Sequence, residues 1–88
     1  MEGIEILGMT AGTISSITFL PQVIKTWQTK SAKDISLWMF LLVTLSVVLW
    51  LVYGIYKQSI PIIYTNSAVL IMSLIMLYFK WKFRNPRT

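Results

Sequence analysis

Phe19-Leu20-Pro21-Gln22 closes the first long apolar run of this 88-residue chain, and the reading of that stretch decides the fold. A proline inside a helix has no N–H to donate, and its ring displaces the carbonyl one turn earlier, here that of Ile17. The residue before it, Leu20, is steered away from helical angles. Gln22 follows at once with an amide that both donates and accepts. A long apolar helix therefore carries a weak point with a polar side chain beside it. In lipid, backbone groups freed at such a break must find partners inside protein or along a wet cavity. The break is either a static kink or a hinge, and the rest of the chain bears on the choice.

Outward from it, charge is confined to narrow zones. Residues 6–24, 35–56 and 58–79 contain no charged side chain, giving windows of 19, 22 and 22 residues. A hydrocarbon core of ~30 Å needs about 20 apolar residues in a helix, so each window can span. A soluble protein of this size would carry charged helix faces, and none of the three windows has one. The sequence is expected to be an all-α membrane protein of one domain, residues 1–88, with three transmembrane helices at about 4–25, 36–57 and 60–79. A cleaved signal peptide fits the first window poorly: Glu2 and Glu5 precede it instead of lysines, and no small-residue cleavage site follows.

The basic residues set an orientation. Lys25, Lys30 and Lys33 lie in the first connection, Lys57 alone in the second, and Lys80, Lys82, Arg84 and Arg87 in the tail. With three spans, the first connection and the tail share one side, which holds seven of the eight basic residues. The positive-inside bias then places the N-terminus outside and the C-terminus in the cytoplasm of a cell (inner) membrane protein. The same placement explains the net charge of +5 without nucleic acid. The chain has no cysteine and no histidine, and no cluster with metal-ligand spacing, so no metal or cofactor is expected.

Within the spans, small and polar residues cluster. Gly8 and Gly12 make a GxxxG spacing in the first helix, which lets backbones approach closely. Asp34 or Ser36 can cap the second helix, and Pro61 suits the first turn of the third. Trp38 and Tyr56 near the ends of the second span, and Trp81 and Lys82 near the end of the third, fit interfacial belts and anchors. Ser36, Met39, Val43, Ser46, Trp50, Tyr53 and Lys57 recur at threes and fours along one face of the second helix. Such a stripe is often a packing seam. The succession of tryptophan, tyrosine and lysine fits better the wall of a wet path.

Asn66 is the residue a plain lipid-facing third span would avoid, since a buried amide must be hydrogen-bonded. It can be glue between helices or part of a site. Counted from the outer ends of their windows, Trp50 and Asn66 fall within about 3 Å of one depth. An indole face stacks on the C–H face of a sugar, and an amide can donate to and accept from hydroxyls. The absence of charge there suits a neutral polyol. Tyr53, further out, can close an outer mouth by hydrogen bonding, and Met39, further in, an inner mouth by packing. Three helices leave no passage between them, so a route for cargo requires at least a dimer. If both copies obey the same charge rule they are parallel, with the axis along the membrane normal.

The chain resembles the bacterial SemiSWEET family of the SWEET and PQ-loop superfamily over about residues 8–78. The carrying residues are Phe19-Leu20-Pro21-Gln22, Lys30-Ser31-Ala32-Lys33-Asp34-Ile35-Ser36, Leu49-Trp50-Leu51-Val52-Tyr53-Gly54, and Pro61 with Asn66. The resemblance implies a triple-helix bundle in which the third helix lies between the first two, and a homodimer sharing one central sugar site. It implies a hinge at Pro21 and Gln22, sugar contacts from Trp50 and Asn66, an outer gate of Tyr53 and Lys57, and an inner gate at Met39. Phe19 would line the path near the hinge, alongside Val43 and Ser46 of the second helix. The family more often has arginine where Lys57 stands, and lysine makes a less directional contact.

The expected function is a facilitative sugar transporter, moving mono- or disaccharides by alternating access. No residue charged near neutral pH lies inside any window, so uniport without proton coupling is expected. The rivals are a PQ-loop-type carrier of amino acids or another small metabolite, and a non-transporting membrane subunit. An enzyme is disfavoured: Asp34, Glu2 and Glu5 sit at span ends with no nucleophile beside them.

Overall fold

A computed structural model describes residues 2–83. Four helices follow one another: α1 (Gly3–Ile17), α2 (Leu20–Thr29), α3 (Leu37–Tyr56) and α4 (Ile60–Lys82). No strand occurs among the described residues. α1 and α2 together form one apolar segment, Gly3–Thr29, and with α3 and α4 they make three helices long and apolar enough to cross a bilayer. The molecule extends 51 Å along its longest axis, enough for a bilayer of about 40–45 Å with headgroups. The chain is an all-α, multi-pass membrane protein. Arg84 and Arg87 of the charge bias, and Asn85-Pro86, expected to begin a frayed tail, lie outside the described residues.

The first span departs from the expected single helix over 4–25. It is interrupted at Thr18 and Phe19, ahead of the proline rather than at it. Pro21 cannot donate to Ile17, so the turn preceding it tightens. The Phe19 N–H reaches the Ser16 carbonyl at 3.1 Å, and the Thr18 N–H is shared between Ile14 and Ser15 at 3.3 Å each. Thr18 Oγ1 donates to the Ser15 carbonyl at 2.5 Å. Thr18 and Phe19 keep right-handed dihedrals (φ −62°, ψ −23°; φ −81°, ψ −21°), so the break is a tightened turn and not an unwound segment. Leu20, expected outside helical geometry, is instead the first residue of α2, with Pro21 in its first turn. There a missing N–H costs little. α2 then passes Lys25 and ends at Thr29, where Lys30 turns left-handed (φ 53°) and its N–H bonds the Thr26 carbonyl at 2.9 Å.

The other termini follow from local chemistry. Of the two candidate caps for α3, Ser36 takes the role: its Oγ accepts from the Met39 N–H at 3.1 Å. Ser59 caps α4 by accepting from the Ile62 N–H at 3.5 Å, after a left-handed turn at Gln58 (φ 54°). Pro61 sits in the first turn of α4, as expected. α4 continues past the expected end at Phe79 to Lys82, whose ammonium lies 5.7 Å from the Tyr78 ring centroid and 5.8 Å from that of Phe83.

α4 is the packing centre. It lies against α3, α1 and α2, whereas α1 and α3 share no close backbone approach among the described residues. Glycines set the two main seams. A Cβ on Gly12 would collide with the Thr65 hydroxyl, and one on Gly8 would stand 3.0 Å from Pro61 Cβ. The GxxxG spacing of α1 thus serves close packing on α4 of the same chain. Gly54 does the same for α3, since a Cβ there would meet Ile62 Cγ2 at 2.6 Å. The buried core is small and lies at one end: Phe40, Met76 and Phe79, with Phe19, Val23, Ile35, Leu77 and Phe83 packed around them. At that end Lys80 Nζ donates to the Ala32 carbonyl at 2.9 Å and ties the first connection to α4.

Candidate functional site

The close seam between α1 and α4 makes room beside it for a groove. Gly8, Ala11 and Gly12 give α1 a nearly bare face there. Opposite stand Thr65 and Asn66 of α4, and Trp50 of α3 closes the side. The groove holds about 360 Å³ and has no charged residue in its lining. The two residues matched by depth in the sequence therefore open onto one space.

Asn66 is not glue between helices. Its Nδ2 donates to the Ile62 carbonyl of its own helix at 2.9 Å, and among the described residues it bonds no other helix. That bond fixes the side chain and leaves the amide oxygen and the second N–H uncommitted to protein. The polar tie between helices is made elsewhere, by Thr13 of α1 and Tyr64 of α4, whose hydroxyls lie 2.8 Å apart.

Trp50 faces two ways. Besides the Asn66 groove it lines a second groove of about 510 Å³ on α3 with Ser46 and Tyr53. Its ring meets Tyr53 edge-on, with centroids 5.6 Å apart and planes at 88°. The rest of that groove is Leu42, Leu45 and Leu49, which the expected polar stripe did not include. The lining of this groove is thus mainly apolar, punctuated by Ser46 and Tyr53. Val43, expected on the stripe, is half-buried and lines neither groove.

The remaining expected residues are spread along the axis. Met39 is exposed in the first turn of α3, and Lys57 caps the opposite end of that helix, 18 positions or about 27 Å away. Lys57 is exposed and makes no ion pair among the described residues. Phe19 packs half-buried against the Phe40, Met76 and Phe79 core. Pro21 and Gln22 stand just beyond the break, both exposed. No group of three or more potential metal ligands occurs among the described residues.

Sequence reasoning missed the part of the groove that α1 supplies. Gly8 and Gly12 signal close packing only, Ala11 and Ser15 carry no signal of a site, and Thr65 does not stand out despite lying beside Asn66. Sequence reasoning also missed the adjoining space. Gly8 and Pro61 line both the Asn66 groove and a further recess of about 360 Å³ at the end of the bundle, with Glu5, Gln58 and Ser59. The two spaces adjoin at Gly8 and Pro61 on the α1–α4 seam, one with a polar rim and the other reaching Trp50.

Three apolar spans, the first broken just ahead of a proline, with an uncharged groove between an indole and an amide, define a compact three-span membrane repeat. The PQ loop repeat family matches residues 3–63. The chain is 41% identical over 76 residues to the sugar transporter SemiSWEET of Leptospira biflexa, covering 86% of this chain and 89% of that one. It is 36% identical over 80 residues to the sugar transporter SemiSWEET of Bradyrhizobium diazoefficiens, covering 91% and 93%. A crystal structure of a bacterial homologue of SWEET transporters superposes with TM-score 0.89 at 33% identity, over 93% of this chain and 99% of that one. A SemiSWEET crystallised in the inward-open conformation superposes with TM-score 0.87 at 26% identity, over 99% and 94%. The chain belongs to the PQ-loop family, among its SemiSWEET members, a family of transporters and not of enzymes.

Proposed function

We propose that this chain is a facilitative sugar transporter of the cell (inner) membrane, working as a parallel homodimer by alternating access. The observation that carries the proposal is the convergence of Trp50 and Asn66 on one groove with no charged lining. The indole supplies a flat apolar face for a sugar ring, and Asn66 supplies an acceptor and a donor that its bond to Ile62 leaves over. Related chains that carry the name sugar transporter support the cargo class.

Trp50 also supports the dimer. It stands on the ridge between the Asn66 groove and the apolar groove of α3. A second copy laid against the leucines would cover that groove and turn two open faces into one chamber. Within it Tyr53 and Lys57 form the outer gate, Met39 the inner gate, and Ser46, Val43 and Phe19 border the path. The first span switches the chamber by bending at Pro21 and Gln22, where Ile17 has lost its usual donor. The charge bias of Lys25, Lys30, Lys33, Lys80 and Lys82 supports an orientation with the N-terminus outside and the C-terminus in the cytoplasm.

Transport is uniport, because no charged acid or base lies within the windows 6–24, 35–56 and 58–79 to carry a proton. A zwitterionic amino acid would need partners for two charges, and the groove lining has none. Competition of a panel of sugars and amino acids against labelled glucose in proteoliposomes tests the cargo. Inhibition by sugars alone is expected; inhibition by amino acids alone would replace this reading with the metabolite-carrier one.

A further inference from the structure

We propose that the chain carries a phosphate-binding site beneath its first span, separate from the sugar groove and independent of the cargo. The cavity lies where α2 runs into the connection of residues 30–36 and holds about 360 Å³. Its lining includes Lys25, Thr26 and Thr29 from α2 and Ser31, Lys33 and Asp34 from the connection. Two ammonium groups and one carboxylate leave the cavity a single net positive charge. None of the three is in an ion pair among the described residues.

The hydroxyls point the same way. Thr26 is 4% exposed, yet its side chain makes no hydrogen bond among the described residues, and it borders the cavity. Its hydroxyl is not sealed from the cavity and is free to donate into it. Thr29 Oγ1 donates to the Lys25 carbonyl at 2.8 Å, so its oxygen remains an acceptor only, while Ser31 is free to donate. The loop wall is held rather than floppy: Lys80 Nζ fixes the Ala32 carbonyl, and Ala32, 1% exposed, lies between Ser31 and Lys33. Donors of two kinds around a small cavity of net charge +1 match a singly charged phosphodiester, which offers several acceptor oxygens and one negative charge.

Position supplies the phosphate. The cavity lies at span ends, and the exposed indoles of Trp27 and Trp38 on its two flanking helices mark headgroup depth. Basic pockets between helices at that level take anionic headgroups. Gln22 also borders the cavity, one residue from Pro21. A bound phosphate therefore sits against the half of the first span that lies beyond the break.

Native mass spectrometry of the full chain from detergent tests this, with phosphatidylglycerol, phosphatidylcholine or inorganic phosphate added. Phosphatidylglycerol is expected to be retained over phosphatidylcholine. Lys25→Gln/Lys33→Gln should weaken that retention about thirtyfold, and Asp34→Asn should strengthen it. Lys30→Gln/Lys82→Gln removes as much charge from the same end outside the cavity and should change it by less than about threefold. Displacement of the lipid by excess inorganic phosphate would assign the site to soluble phosphate, and its failure would assign it to the headgroup; both outcomes support the site. Equal retention of the two lipids, or equal losses in the two double variants, would overturn it.

Discussion

The hydroxyls of Thr13 and Tyr64 meet at 2.8 Å across the α1–α4 seam, and the donor is Tyr64. Thr13 has one hydroxyl proton, and it is given to the Met9 carbonyl at 2.8 Å. The bond between helices is therefore Tyr64 O–H to Thr13 Oγ1. Hydrogen bonds between helices in lipid average about 0.6 kcal/mol. Tyr64→Phe, which removes the donor and nothing else, should destabilise the protein by about that amount. Thr13→Val in the same background should add less than it does alone, because the shared bond is already gone. Equilibrium unfolding in mixed micelles measures both; strict additivity would mean that the two hydroxyls do not interact.

The same seam is held close by glycine. Gly12→Ala drives a methyl group into the Thr65 side chain, whereas at Gly8 the nearest atom is Pro61 Cβ at 3.0 Å and at Gly3 the space is open. Overpacking of a close seam costs typically ~1–3 kcal/mol. The expected order of destabilisation is Gly12→Ala, then Gly8→Ala, with Gly3→Ala near zero. Thr65→Ala combined with Gly12→Ala should recover part of the loss, since it removes the hydroxyl and methyl that the new Cβ meets. A Gly12→Ala protein as stable as the parent would show that α1 and α4 are further apart.

How much of this was legible in the residues depends on what each element obeys. The three spans follow from charge-free windows, because lipid excludes charge whatever the packing. The Ser36 cap and the Pro61 start follow from local chemistry. The position of the break did not follow, because a proline acts on the turn before it, and the chain chose to tighten at Thr18 and Phe19 instead of abandoning the helix at Leu20. The end of the first span was placed too early because the first lysine, Lys25, was taken as a boundary. A lysine at a membrane surface can remain helical while its head reaches water, and α2 continues to Thr29. Trp50 and Asn66 could be matched by depth, which needs only the helical rise. The contribution of α1 could not: which glycine faces which threonine is a matter of register between helices, and a bare Gly8 or Gly12 carries no polar signal. For the same reason Leu42, Leu45 and Leu49 were not seen to share a groove with Ser46 and Tyr53.

The break makes a prediction of its own. Pro21→Ala returns an N–H that the Ile17 carbonyl can accept. Amides of residues 18–20 and 22 should then exchange more slowly with solvent, and sugar exchange should fall about tenfold while equilibrium binding moves less than about threefold, the pattern of a slowed conformational step. Transport at the parental rate with slowed amide exchange would show that the break is a static kink.

Coupling is testable without a substitution. No charged residue occurs in the three windows 6–24, 35–56 and 58–79. Uptake into proteoliposomes should therefore be unchanged, within about twofold, when a protonophore abolishes an imposed proton gradient. Uptake that collapses with the gradient would point to an acid at a span end, with Glu5 at the rim of the recess beside Gln58 and Ser59 the first to examine.

The central claim is that Trp50 and Asn66 together hold a neutral sugar. Counterflow of labelled mono- and disaccharides in proteoliposomes tests it most directly, with Trp50→Ala and Asn66→Ala beside the parent. Among the described residues Asn66 bonds only its own helix, so its replacement should leave the fold and the reconstituted amount intact. The account predicts robust counterflow by the parent for at least one sugar and a loss of about tenfold or more in each variant, as expected when about 1.4 kcal/mol or more of cargo binding is removed. Counterflow at the parental rate in both variants, at equal protein density, would contradict it.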